Sequence, residues 1–199
     1  LPDDIKSFSH SLMAVTVFAS NILFFSESGY FNIASELKPL IHTWSLAVEE
    51  QYYLLYPLLL MCMWRFKRRW TIAVLSVIAL ASIAFAQWSA YHEPAAFYLL
   101  PTRAWELIIG ALIAFYYAKI SHIHLRLPLR QSLSSLGLLL IAVAVFFFSK
   151  NTPFPGFFAL VPTLGAALVI LFAAPDTFTG RILGSRTLVG IGLISYSTY

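Results

Sequence analysis

Long apolar runs separated by short polar punctuation dominate this chain. A membrane-spanning helix needs about 20 mostly apolar residues. Residues 7–26, 46–64, 71–92, 97–118, 131–149 and 156–174 each supply such a run. Residues 188–199 read as the first half of one more. The pattern predicts an all-α, polytopic transmembrane helical bundle of about six full helices plus part of a seventh. Pro94, Pro128, Pro153, Pro155, Gly156, Pro175 and Gly180 fall between the runs, where such residues interrupt helices. No repeat divides the chain, so residues 1–199 read as a single membrane domain. It begins at Leu1 and stops within an apolar run at Tyr199, which predicts a piece of a longer protein, truncated at both ends.

The cations give this arrangement an orientation. Arg65, Lys67, Arg68 and Arg69 separate the second and third runs. Lys119, Arg126 and Arg130 separate the fourth and fifth, and Arg181 and Arg186 follow the sixth. With Lys6, these fall on one side if the helices alternate. Only Lys38 and Lys150 fall on the other, and Arg103 lies within a run. The positive side is predicted to be cytoplasmic. Trp44, Trp64, Trp70, Trp88, Tyr91, Tyr116 and Tyr117 sit near the predicted ends, where amphipathic rings favour the interface.

Composition agrees with a bilayer as solvent. Hydrophobic residues make up 59% and charged residues 11%, against roughly 25% charged in soluble domains. Mean hydropathy is +0.77. The net charge of +4 is explained by orientation in a membrane, and nucleic acid is not expected as a partner. The lone Cys62 allows no internal disulfide. The chain has no GxGxxG, GxxxxGK[ST], CxxC pair, GxSxG or HxxxxD box. Nucleotide-driven transport and soluble-hydrolase chemistry therefore have no support. His122 and His124 lack Cys or carboxylate companions in sequence, so no metal is expected.

Three constellations carry candidate chemistry. The first is PLIHTWSLAVEEQYYLLYP, residues 39–57, on the outer side by this topology. Ionisable groups at that depth are expensive and mark functional sites. Ser45 is a candidate cap for the new helix. If the helical path reaches back to His42, His42 and Glu49 share a face. A His beside a carboxylate can act as general base. Alternatively, Glu49 and Glu50 simply favour the positive helix N-terminus. Pro57 predicts a kink below this cluster. The second constellation is PTRAWELIIG, residues 101–110, where Arg103 and Glu106 share a helix face. They form either a structural ion pair or a clamp for an anionic or carbonyl oxygen, with Glu49 as another partner for Arg103. The third is WRFKRRW, residues 64–70. It is either an orientation signal facing anionic lipid or a phosphate dock for a cytosolic cofactor.

PLIHTWSLAVEEQYYLLYPLLL resembles the signature of the bacterial integral-membrane acyltransferase family 3, with Ile41 and Tyr52 as mild departures. FYLLPTRAWELIIGALIAF resembles the family's second strong block. Asn21 in FASNILFF, the GYF that begins at Gly29, and GLISYSTY fit further segments. The resemblance implies a ten-helix enzyme of the bacterial cytoplasmic (inner) membrane. It would pass an acyl group, usually acetyl from acetyl-CoA, to a hydroxyl of an exported glycan or lipid-linked sugar, such as lipopolysaccharide or peptidoglycan. Some members hand the group to a fused extracytoplasmic hydrolase-like domain. The family's catalytic His, with a basic residue eleven positions before it, belongs to a first helix that this sequence lacks. The chain alone is therefore expected to be inactive.

The resulting expectation is a membrane-bound O-acyltransferase fragment. His42, Glu49 and Glu50 would shape the acceptor side, and Arg103 and Glu106 would organise the cavity. Arg65, Lys67, Arg68 and Arg69 would hold the phosphates of acyl-CoA. A transporter or flippase of glycan intermediates, and a non-catalytic membrane subunit, are the alternatives.

Overall fold

The computed structural model describes residues 2–28, 40–118, 125–149, 152, 154 and 156–198. Lys38, Pro39, Lys119, His122, His124, Lys150, Pro153, Pro155 and Tyr199, and the GYF that begins at Gly29, lie outside the described residues. Among those described, every regular element is helical. The chain forms two compact units, one of residues 1–108 and 153–157, the other of 109–152 and 158–199.

The first unit holds α1 (Pro2–Thr16), α2 (Ser20–Glu27), α3 (Thr43–Met63) and α4 (Arg68–His92). It also holds a 3₁₀ segment, Pro94–Tyr98, and the first half of α5 (Leu100–Tyr117). The first predicted span is corrected here: residues 7–26 are two helices. The Ala19 N–H reaches back to the Ala14 carbonyl at 2.8 Å and the Phe18 N–H to Val15 at 3.1 Å. This is a Schellman ending, whose left-handed position normally belongs to Gly. Phe18 occupies it, with φ +52°, at a cost of about 1–2 kcal/mol. The break is invisible to hydropathy because residues 17–19 are all apolar.

α3 begins three residues earlier than the apolar run suggests, because His42 already has helical backbone angles. Ser45 is no N-cap: it lies inside the helix, and its hydroxyl donates to the His42 carbonyl at 3.2 Å. The helix runs unbroken through Pro57 for 21 residues, about 31 Å at 1.5 Å per residue. α4 likewise starts early, so Arg68 and Arg69 form its first turn rather than a loop.

In the second unit, α6 (Leu127–Phe147) packs against α7 (Leu160–Phe172). Pro128 opens α6 instead of interrupting it, since a first-turn Pro lacks only an N–H that would be unpaired anyway. Gly137 and Gly165 meet where these helices cross: a Cβ on either would lie within 2.8 Å of the other's carbonyl oxygen. Small residues permit such close approach between membrane helices. The predicted loop after the sixth run contains a further helix, α8 (Phe178–Leu183), before α9 (Arg186–Thr198). Gly180 is therefore helical. Thr177 is fully buried and caps α8, accepting from the Gly180 and Ala174 N–H groups at 3.1 Å each. Arg130 grips Asp176 through two hydrogen bonds, at 2.7 and 3.2 Å.

Among the described residues, α4 and α6 are long and apolar enough to cross a membrane. Large apolar side chains point outward, including Leu54, Met61, Leu80, Phe146 and Phe147. Soluble monomers rarely expose apolar surface on this scale, so the chain is a membrane protein.

Candidate active site

The site grows from the start of α5. A hydroxyl from α4 is inserted into its backbone ladder, between the Pro101 carbonyl and the Trp105 N–H that would otherwise pair with each other. The Ser82 hydroxyl accepts from the Trp105 N–H at 3.2 Å and donates to the Pro101 carbonyl at 2.6 Å. Thr102 is fully buried and donates to the Ala96 and Leu99 carbonyls at 2.8 Å. The Trp105 indole N–H closes on the Thr102 carbonyl at 3.1 Å. The turn that carries Arg103 is thus fastened on three sides.

Arg103 and Glu106 form an ion pair along one face of α5. Glu106 Oε2 accepts from Arg103 Nη2 at 2.7 Å and from Nε at 3.3 Å. Glu106 Oε1 is buried with no hydrogen-bond partner among the described residues. The guanidinium carbon lies 5.2 Å from the centre of the Trp44 ring, within cation–π range. Trp44 is held edge-on by Phe97 at 4.9 Å and Tyr98 at 5.5 Å.

Beside them is a half-open cavity of about 230 Å³ lined by Trp44, Ser45, Val48, Glu49, Arg103, Glu106 and Leu107. Glu49 faces the same space as Arg103, but the ion pair that forms is Arg103 with Glu106. Chemically, the cavity offers a fixed cation, a carboxylate that can take a proton and an aromatic wall.

The other sequence candidates stand apart from this cluster. His42 is exposed at the head of α3, Glu50 is half-buried, and neither belongs to the cavity lining. Arg65, Lys67, Arg68 and Arg69 are all exposed at the α3–α4 turn. They follow Glu49 by at least 16 residues, about 24 Å along α3. Arg69 covers the Trp70 ring at 5.7 Å. Sequence reasoning passed over Ser82, Thr102 and Trp105. The signal for Ser82 was a hydroxyl in the middle of an apolar run, opposite a Pro-initiated helix.

Asn21 and Gln51 form a second polar centre. Each amide donates to the other's oxygen, at 3.3 and 2.9 Å. Asn21 also donates to the Tyr98 carbonyl at 3.1 Å, and Gln51 to the Phe18 carbonyl at 2.9 Å.

The acyltransferase-domain pattern of acyltransferase family 3 matches residues 7–199, and the chain belongs to that family. It is similar to an uncharacterized protein of Haemophilus influenzae, at 29% identity over 84% of this chain and 72% of that one. It is also 30% identical to a protein of Bacillus subtilis provisionally named peptidoglycan O-acetyltransferase YrhL, over 88% of this chain and 30% of that one. A provisionally named O-acetyltransferase of Staphylococcus aureus (strain COL) shares 26% identity over 99% of this chain and 34% of its own length. The chain thus spans about a third of the O-acetyltransferase relatives it matches. No solved structure matches it.

Proposed function

We propose that this chain is the core of a multi-pass O-acyltransferase of the bacterial cytoplasmic membrane. It moves an acyl group, acetyl in the first instance, from acyl-CoA to a hydroxyl of a cell-envelope glycan. The observation that carries this reading is the Arg103–Glu106 pair facing Glu49 across one small cavity, in a chain of acyltransferase family 3. The name of the Bacillus relative favours peptidoglycan as acceptor; lipopolysaccharide and lipid-linked sugars offer the same hydroxyl chemistry.

The reaction joins the acceptor oxygen to the acyl carbonyl carbon and breaks the carbon–sulfur bond. The hydroxyl proton ends on the departing thiol. Charge develops on the carbonyl oxygen in the transition state, and a preorganised donor there supplies much of the acceleration. Arg103 fits that role, with Nη1 making no hydrogen bond among the described residues and its orientation fixed by Glu106 and Trp44. Glu49 accepts or relays the hydroxyl proton. His42 and Glu50, at the head of α3, guide the acceptor towards the cavity. Arg65, Lys67, Arg68 and Arg69 hold the phosphates of the donor at the cytoplasmic face. A fused or separate extracytoplasmic hydrolase-like domain is a further expected partner, and no metal is required.

The test is transfer of labelled acetyl from acetyl-CoA into envelope glycan, using membranes that contain the full-length protein. Replacing Arg65, Lys67, Arg68 and Arg69 by Gln should raise KM for acetyl-CoA with little change in kcat. Unaltered KM would remove these residues from the donor site.

A further inference from the structure

We infer that Asn21 is a positioning residue for the Arg103–Glu106 cavity, acting through Gln51, Tyr98 and Trp44. The inference rests on the acyl-transfer reading above and adds to it a part of the site that touches no reacting atom.

Asn21 is 1% exposed, on a short helix, in a protein whose surroundings are hydrocarbon. A buried amide there is costly unless every polar atom is bonded. In the Asn21–Gln51 pair every atom is. Both hydrogens of Asn21 Nδ2 are used, on Gln51 Oε1 and the Tyr98 carbonyl. Both hydrogens of Gln51 Nε2 are used, on Asn21 Oδ1 and the Phe18 carbonyl. An apolar pair would hold these helices together without such demands. What the amides add is register, because each bond fixes one distance.

The bonds lead to the cavity by two routes. Along the first, Asn21 holds the Tyr98 backbone, and the Tyr98 ring stands edge-on to Trp44. Trp44 in turn lies beneath the Arg103 guanidinium. Along the second, Gln51 follows Glu49 by two residues on α3 and so sits on nearly the opposite face of the helix. Clamping Gln51 towards α2 fixes the rotation of α3 that turns Glu49 into the cavity. Ser20 adds a third tie, donating to the Thr43 carbonyl at 3.1 Å where α3 begins. The left-handed Phe18 sits at the same junction. Its carbonyl is one of the four acceptors, so the strained break in the chain is held by the same clamp.

The test uses the full-length protein, purified in detergent, with every native cysteine, Cys62 among them, replaced by Ala as background. Ser45→Cys puts a thiol in the cavity wall, and Ser132→Cys puts one on α6 as a control. The rate of maleimide labelling is compared with and without Asn21→Ala, and with the milder Asn21→Ser in case Asn21→Ala does not fold. The expected result is at least a threefold change in rate at position 45 and less than twofold at position 132. In acetyl transfer, kcat should fall at least tenfold while KM for acetyl-CoA moves less than twofold. Unchanged labelling at position 45 would overturn the inference, as would equal changes at both thiols, which mark general loosening. If the unsubstituted protein transfers no acetyl, the enzymatic reading fails, and the labelling still decides whether Asn21 shapes the cavity.

Discussion

Replacing Gly137 or Gly165 by Ala should weaken the second unit, against the usual effect of that substitution. Inside a helix, Gly→Ala is worth about 1 kcal/mol in favour of the helix. Here the new methyl has nowhere to go. A Cβ on Gly137 would lie 2.7 Å from the Gly165 carbonyl oxygen, 2.9 Å from Leu168 Cβ and 3.0 Å from the Val169 nitrogen. A Cβ on Gly165 would lie 2.8 Å from the Gly137 oxygen. These are mostly backbone atoms, which cannot rotate away. Restoring a contact of 3.4 Å requires the helices to part by about 0.7 Å. A gap of that size forfeits roughly a quarter to a half of each dispersion contact along the seam. Overpacking costs about 1–3 kcal/mol, so the net loss is up to about 2 kcal/mol per substitution after the helical gain. The double substitution should cost less than the sum, since one separation accommodates both methyls. Gly110 has nothing within 4 Å of its Cβ position, so Gly110→Ala should stabilise by up to about 1 kcal/mol. Thermal unfolding in detergent, followed by intrinsic fluorescence, reads all four variants. Stabilisation by Gly137→Ala, or strict additivity of the pair, would refute the close crossing.

Other consequences follow from single contacts. Thr177→Val keeps the shape of the side chain but leaves two backbone N–H groups without their acceptor. It should cost about 2 kcal/mol, read by the same unfolding assay, and Thr177→Ser should recover most of it. Arg130→Ala should cost less than about 1 kcal/mol and less still in high salt, because the Asp176 side chain is 50% exposed and surface ion pairs contribute little. Arg103→Lys retains the charge but loses the planar fork that two hydrogen bonds to Glu106 use. Acetyl transfer should fall at least tenfold while membrane abundance holds, as read by immunoblot beside the transfer assay.

The helical class and the membrane character were legible because hydrophobic runs report burial in hydrocarbon whatever the details of packing. Arg103 and Glu106 were legible as a pair, since a spacing of three places them on one helix face. The Glu49 carboxylate was legible as part of the same place, through its depth and topology. The break at Phe18 was not, because a left-handed residue is set by its bonds to Gln51 and the preceding turn, and its hydropathy matches its neighbours. Ser82 and Thr102 were hidden for a related reason: isolated hydroxyls look alike until tertiary structure gives them a carbonyl. α8 was read as a loop because six residues with a central Gly carry too little pattern. The resemblance in residues 39–60 and 97–115 supplied the chemistry, and the packing of Trp44 beneath Arg103 supplied a geometry that no spacing reveals.

The central claim is that the Glu49–Arg103–Glu106 cavity works in O-acylation of an envelope glycan. Its most direct test is the O-acetyl mass on envelope glycans, by mass spectrometry, in cells carrying the full-length gene. Unsubstituted protein is compared with Arg103→Ala and Glu49→Gln at matched membrane abundance. The account predicts that the acetyl mass is lost or falls at least tenfold in both variants. Acetylation at the unsubstituted level in both, or no acetyl change on deleting the gene, would contradict it.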